Sequence, residues 1–151
     1  MRPDPVRGRF LLALAFCSAC TSTPANPPAP APPASMLSPA EQAATTVVER
    51  QLAAYNARDA AAFTATYAPD VRIYTFPDQL WLSGRDQVRQ RYAQLFAAAP
   101  ALHATIERRI VHGALVVDHE YVIGLPGGAT ARAVAIYEVK DGAISRVWLA
   151  R

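Results

Sequence analysis

The sequence is short of cysteine, of net charge and of long apolar runs, and each shortage removes a class of explanation. Its only two cysteines, Cys17 and Cys20, lie within the first 20 residues. The rest of the chain therefore has neither a disulfide framework nor a thiolate metal site. The three histidines, His103, His112 and His119, have no close mutual spacing, so no metal and no cofactor is expected. A formal charge of +3 owes much to Arg2, Arg7 and Arg9 at the extreme N-terminus. From Glu41 onward acids and bases nearly balance, with no basic cluster denser than Arg85, Arg89 and Arg91. Nucleic-acid binding thus loses its main electrostatic support. The apolar run Phe10 to Phe16 is too short to cross a bilayer as a helix, and there is no internal repeat.

What is present begins with a targeting pattern. A positive start, that short apolar run and a stretch of small residues read as an export signal over residues 1–20. Cys17-Ser18-Ala19-Cys20 resembles a bacterial lipoprotein box, in which cleavage leaves a lipidated N-terminal cysteine, here Cys20. Cys17 stands where such boxes usually carry a Leu-like residue, and the alternative is an ordinary secretory signal cut near Ala19. Either way the expected location is the periplasm or cell envelope, with membrane attachment through the N-terminal lipid only. Residues 21–40 are a Pro/Ala-rich linker with nothing from which to build a core. Residues 41–151 are expected to form one domain, since 52% apolar content suffices for a single core.

Ser38-Pro39-Ala40-Glu41 combines a capping serine, a proline at the first helical position and a glutamate three residues after the cap, a helix start. Ala44, Val47, Val48, Leu52 and Tyr55 then recur at helical spacing. Asp59 caps a second short helix with Ala60, Phe63 and Tyr67 on its buried face. Val71 to Phe76 alternates as a strand and turns at Pro77-Asp78 into a second over residues 79–82. Ser83 to Asp86 resembles another capping box, opening a third helix with Val88, Tyr92, Leu95 and Phe96 buried and Pro100 at its close. Four strands follow, near residues 103–111, 115–123, 130–139 and 143–150, the last two joined by the Asp141-Gly142 hairpin signal. The predicted class is α+β: three N-terminal helices packed on a curved, mainly antiparallel β-sheet.

The run Leu115 to Ile123 carries Asp118, His119 and Glu120 at its centre. Acids are poor strand formers and are costly to bury unpaired, so each needs a partner or a use. Alternation puts Asp118 and Glu120 on one face and His119 on the other with Val117, Tyr121 and Ile123. The turn at His112-Gly113 brings Arg108 and Arg109 opposite, so a cross-strand ion pair is one outcome for either acid. If Glu120 instead points into an apolar pocket, desolvation raises its pKa into the range of a general base. His119 is the candidate of the opposite face. Tyr74 and Trp81, with Phe76 and Trp148, are candidate ligand-stacking or core aromatics. Arg132 is a candidate anion clamp at a pocket mouth.

The segments Tyr55-Asn-Ala-Arg-Asp-Ala-Ala-Ala-Phe63, Tyr67-Ala-Pro-Asp-Val71, Leu82-Ser-Gly-Arg85 and Ile136-Tyr-Glu-Val-Lys-Asp-Gly-Ala-Ile144, in this order of elements, resemble the NTF2-like superfamily, closest to its SnoaL-like and steroid-isomerase-like members. The resemblance implies a cone with a small-molecule pocket between sheet and helices, and a homodimer through the outer sheet face, where Ala133, Ala135 and Tyr137 are expected. It does not imply one reaction. The positions of the ketosteroid-isomerase catalytic groups fall on Thr75, Gln51 and Arg132, three replacements that argue against that machinery. Epoxide-hydrolase members set an Arg and two Asp around a water; Asp118, Glu120 and Arg132 are the right types, distributed differently. Two functions stay open. One is a pocket protein doing acid–base work with Glu120 or His119 on a hydrophobic carbonyl compound, polyketide-like or steroid-like. The other is a non-catalytic binding or dimerisation module tethered to the envelope.

Overall fold

Ser38 opens the fold as its sequence predicts. Its hydroxyl accepts the Glu41 backbone N–H while the Glu41 carboxylate accepts the Ser38 N–H, a reciprocal cap that satisfies two otherwise orphaned donors. Helix α1 then runs over Pro39–Ala57. The structure, a computed structural model, describes residues 37–151; the export signal, Cys20 and the linker to residue 36 lie outside the described residues. Asp59 caps α2 (Ala60–Ala65) by accepting the N–H groups of Ala61 and Ala62. Tyr67 was expected on that helix and instead opens β1 (Tyr67–Thr75). Thr66 ends the helix by bonding its hydroxyl to the Phe63 carbonyl, and Tyr67 pairs with Ile144 in the sheet. Sheet pairing overrides the helical spacing there.

Strand β2 (Gln79–Ser83) uses Ser83 as its last residue, so the expected capping box at α3 (Arg85–Ala98) does not form. Gly84, at φ +83°, occupies the cap, and the Gln87 side chain takes the Ser83 N–H at 3.0 Å. Arg85 donates to the Tyr67 carbonyl, tying the start of α3 to the start of β1. Tyr55, Phe63, Tyr92 and Phe96 knit the three helices together, Phe63 and Tyr92 lying 4.4 Å apart between ring centroids.

Four strands complete the chain: β3 (His103–His112), β4 (Leu115–Leu125), β5 (Ala129–Lys140) and β6 (Ala143–Ala150). The sheet order is β2-β1-β6-β5-β4-β3, with β1 and β6 parallel and every other pair antiparallel. That parallel pairing joins the first hairpin to the meander, which the sequence left as separate units. The α+β class and the helices-on-curved-sheet architecture are as expected. Helix α1 packs across β3, β4 and β5, and α3 across β1 and β2.

Two irregularities of the meander aim side chains. At the far end of β4, Gly124 adopts φ +70°, and a Cβ there would sit 2.0 Å from the Ala101 carbonyl oxygen. Only glycine permits that approach. In β3, the register slips by one residue between Ile106 and Arg108, a bulge whose effect is felt at Glu120. The inner face of β5 carries Ala133, Ala135 and Tyr137; Ala135 is fully buried and Tyr137 is 4% exposed. The expectation that these three form an outer, pairing face is therefore reversed. Their alternates Val134 and Ile136 take the outer side, because β5 pairs with β4 in the register that sets Ala135 beside buried Asp118.

Candidate functional site

The two acids of β4 meet different neighbours. Asp118, 1% exposed, faces Arg109 across the β3–β4 pair, which donates Nε to Oδ1 and a terminal nitrogen to Oδ2, both at 2.7 Å. Glu49 approaches the same guanidinium at 3.4 Å. Regular pairing beyond that point would set Glu107 opposite Glu120. The bulge instead sends Glu107 to the outer face and brings Ile106 opposite Glu120, with Ala133 on the other side. Neither neighbour carries a charge, and among the described residues Glu120 has no arginine ion-pair partner.

Among the described residues, the one hydrogen bond to the Glu120 side chain comes from the Tyr137 hydroxyl at 2.9 Å. Tyr137 lies farther along β5, opposite Val116, and small Ala133 and Ala135 leave room for its ring to reach back over the sheet. Burial pushes the Glu120 carboxyl up to about 7, and the negative charge of Asp118 adds to this. The Tyr137 bond and the cationic Arg151 and Arg109 oppose the rise without cancelling it.

Beside this pair lies a cavity of about 210 Å³ between α1, α3 and the inner sheet face. Its space exists because Ala104, Ala131 and Ala133 present methyl groups where larger residues would fill it. Tyr55, Trp81 and Tyr92 form an aromatic wall, and Gln51, buried, donates its amide to the Tyr67 hydroxyl at 3.0 Å. Burial raises Tyr55 far above the ordinary phenol value and Tyr92 to about 12, so both hydroxyls keep their protons at neutral pH. Neither makes a hydrogen bond to another described residue. The charged side chains lining the cavity are Arg91, Glu120 and Arg151.

The other sequence candidates fall elsewhere. Trp81 lines the cavity, but Tyr74 lies on the opposite face, stacked on Trp148 at 5.9 Å between centroids. His119 and Arg132 also occupy the outer face, where both pair with Glu107, at 3.2 and 3.0 Å, and Arg132 covers the Tyr121 ring. The alternation that turns Glu120 inward turns His119 outward, Arg132 follows on the paired strand opposite Tyr121, and the bulge supplies the acid for both. Among the described residues no group of three or more His, Cys, Asp or Glu side chains is arranged to hold a metal ion.

Sequence reasoning did not assign Tyr137, Arg91 or Arg151 to the site. A tyrosine two residues beyond a buried alanine on a neighbouring strand was the available signal, and it required knowing the inner face of β5. Tyr55 and Tyr92 were legible as buried helical positions without a role.

A family model for the SnoaL-like domain matches residues 48–147. Among solved structures, an uncharacterised cystatin-fold protein from Novosphingobium aromaticivorans superposes with a TM-score of 0.67 at 25% identity, covering 72% of this chain and 97% of its own. An LEH-like epoxide hydrolase of M. tuberculosis gives 0.66 at 18% identity, covering 74% and 84%. A protein put forward as a SnoaL-like polyketide cyclase, from Jannaschia sp. CCS1, gives 0.63 at 21% identity, covering 76% and 89%. No curated protein matches the chain. Identities this low speak for the fold alone.

Proposed function

The chain belongs to the SnoaL-like domain family, and from that premise we propose that it binds a small, mainly apolar carbonyl compound in the cavity beside Glu120 and transfers a proton to and from it. The observation that carries this reading is a half-buried carboxyl at the wall of a cavity that, among the described residues, forms no ion pair and is hydrogen-bonded only by Tyr137. A carboxyl poised near 7 exchanges its proton readily in both directions at neutral pH. As carboxylate it takes a proton from the carbon next to a carbonyl; the C–H electron pair becomes the enolate, and Glu120 becomes the acid. The same proton, or one exchanged with water, then returns to carbon. Tyr55 and Tyr92 supply protonated hydroxyls for the enolate oxygen. The cavity is smaller than the roughly 300–1,000 Å³ of drug-sized pockets. It suits a single ring or a short chain better than a four-ring steroid.

Proton–deuterium exchange tests this without a known substrate. Cyclohexanone and related cyclic ketones in D2O, followed by NMR, should lose their α-protons faster with the protein, and Glu120→Gln should reduce that acceleration by about 100-fold or more. Equal acceleration by the variant, or none by the parent chain with a ketone shown to bind, would reject the proposal.

A second reading, the dimerisation module, draws on the outer sheet face, where Ile110, 68% exposed, stands beside Val117 and Ile136. Two copies meeting there would cover this apolar strip, and Ile110→Asp should then convert a dimer to a monomer by light scattering. Export and anchoring through Cys20 remain part of the proposal on sequence grounds.

A further inference from the structure

Two arginines at the edge of the cavity make no direct ion pair among the described residues. Arg91 on α3 and Arg151 beyond β6 bring their guanidinium carbons to 5.6 and 5.8 Å from the centre of the Trp81 ring. Both line the same cavity as Glu120. The other arginines that reach an acid are Arg89 with Asp86, Arg109 with Asp118 and Glu49, Arg132 with Glu107, and Arg146 with Glu138. Among the described residues Arg91 and Arg151 form no ion pair, which is also true of Arg50, Arg58, Arg72, Arg85 and Arg108, but of these only Arg91 and Arg151 line this cavity. Two cations brought to the same tryptophan concentrate positive charge at one edge of the cavity, and an anion bound beside the ring would answer it.

The charge balance says what kind of anion. With Glu120 ionised, the side chains lining the cavity carry two positive charges and one negative. A singly charged group answers the two arginines while adding the least repulsion against ionised Glu120, and a phosphate dianion adds more. The planar fork of arginine fits a carboxylate in two parallel hydrogen bonds. The indole that both guanidiniums approach offers a flat apolar surface to whatever carries that carboxylate.

We infer that the ligand of this cavity is a small oxo-carboxylate, whose carboxylate is held by Arg91 and Arg151 beside Trp81 while its carbonyl end reaches Glu120, Tyr55 and Tyr92. The inference rests on the proposed role of Glu120 for the inner end of the ligand and on the unpaired arginines for the outer end.

The test uses two matched ketones, 3-oxocyclohexane-1-carboxylate and its methyl ester, titrated against the full chain by calorimetry in low salt. The acid should bind about 10-fold tighter than the ester, the worth of one charge-assisted pair. In the Arg91→Gln, Arg151→Gln double variant that ratio should fall to about 1, and about 0.5 M salt should shrink it in the parent chain. Arg89→Gln, on the same helix but away from the cavity, should keep the ratio. Equal affinities, tighter binding of the ester, or a preference that survives the double variant would overturn the inference. An ester that binds without preference but still exchanges its α-protons through Glu120 removes only the anion site. Failure of both ketones to bind up to about 10 mM counts against both readings.

Discussion

Replacing Glu120 by glutamine should make the protein more stable at neutral and alkaline pH, and the size of the gain follows from the site. In the unfolded chain this carboxyl has the ordinary value of 4.5, and in the fold burial lifts it to about 7. Between those values the folded state holds a proton that the unfolded state has released, so stability falls as pH rises through the window. The group costs nothing below 4.5 and its full amount above 7. At about 1.4 kcal/mol per pH unit, ionised Glu120 destabilises the fold by about 3 kcal/mol. Glutamine has nearly the same shape, still accepts the Tyr137 hydroxyl and never ionises. Urea unfolding of both proteins at pH 4.5, 6 and 8 isolates the effect, because every other titrating group is shared. The two should be nearly matched at pH 4.5, and the variant should lead by about 2 M in midpoint at pH 8 if the urea slope is about 1.5 kcal/mol/M. A difference that stays constant with pH, or a variant weaker at pH 8, would refute the claim that Glu120 is half-buried and desolvated without a direct ion-pair partner.

Other perturbations separate structural from chemical roles. Asp118→Asn leaves the Arg109 guanidinium against a neutral amide and should cost about 2–4 kcal/mol in urea unfolding, softened by the reach of Arg109 to Glu49. It should also lower the Glu120 value, since it removes a charge that raises it and frees one that lowers it; a 13C-NMR titration of the Glu120 carboxyl reads this directly. Gly124→Ala drives a methyl group into the Ala101 carbonyl at a left-handed backbone position and should cost about 2–4 kcal/mol, seen as a lower urea midpoint. Cys20→Ser should release the protein from the membrane fraction of its host, and unchanged membrane association would reject the lipid anchor.

The fold was legible where a local signal coincided with burial. Ser38, Pro39 and Glu41 fix the start of α1 by chemistry contained in four residues, and Asp59 does the same for α2. The same logic misleads at Ser83, because a residue that completes strand pairing is unavailable as a helix cap. It misleads again at Tyr67, whose helical spacing to Phe63 is real but whose backbone is taken by β6. In both cases a pairing partner distant in sequence outbids a short-range preference, which is why the boundaries of short helices are weak inferences.

The site was half legible for a related reason. Alternation correctly sets Asp118 and Glu120 on one face of β4 and His119 on the other, since the period of a strand is a property of the strand alone. Which acid keeps an arginine is a property of the neighbouring strand, and there one inserted residue decides. Regular pairing past Arg109 would turn Glu107 inward against Glu120, and two buried acids would face each other. The bulge turns Glu107 out to His119 and Arg132 and leaves Glu120 between Ile106 and Ala133. The same inserted residue thus gives His119 and Arg132 a structural partner and leaves Glu120 without one. The chemistry of the cavity follows from that exchange: a carboxyl becomes available for proton transfer here because a different carboxyl satisfies the outer face.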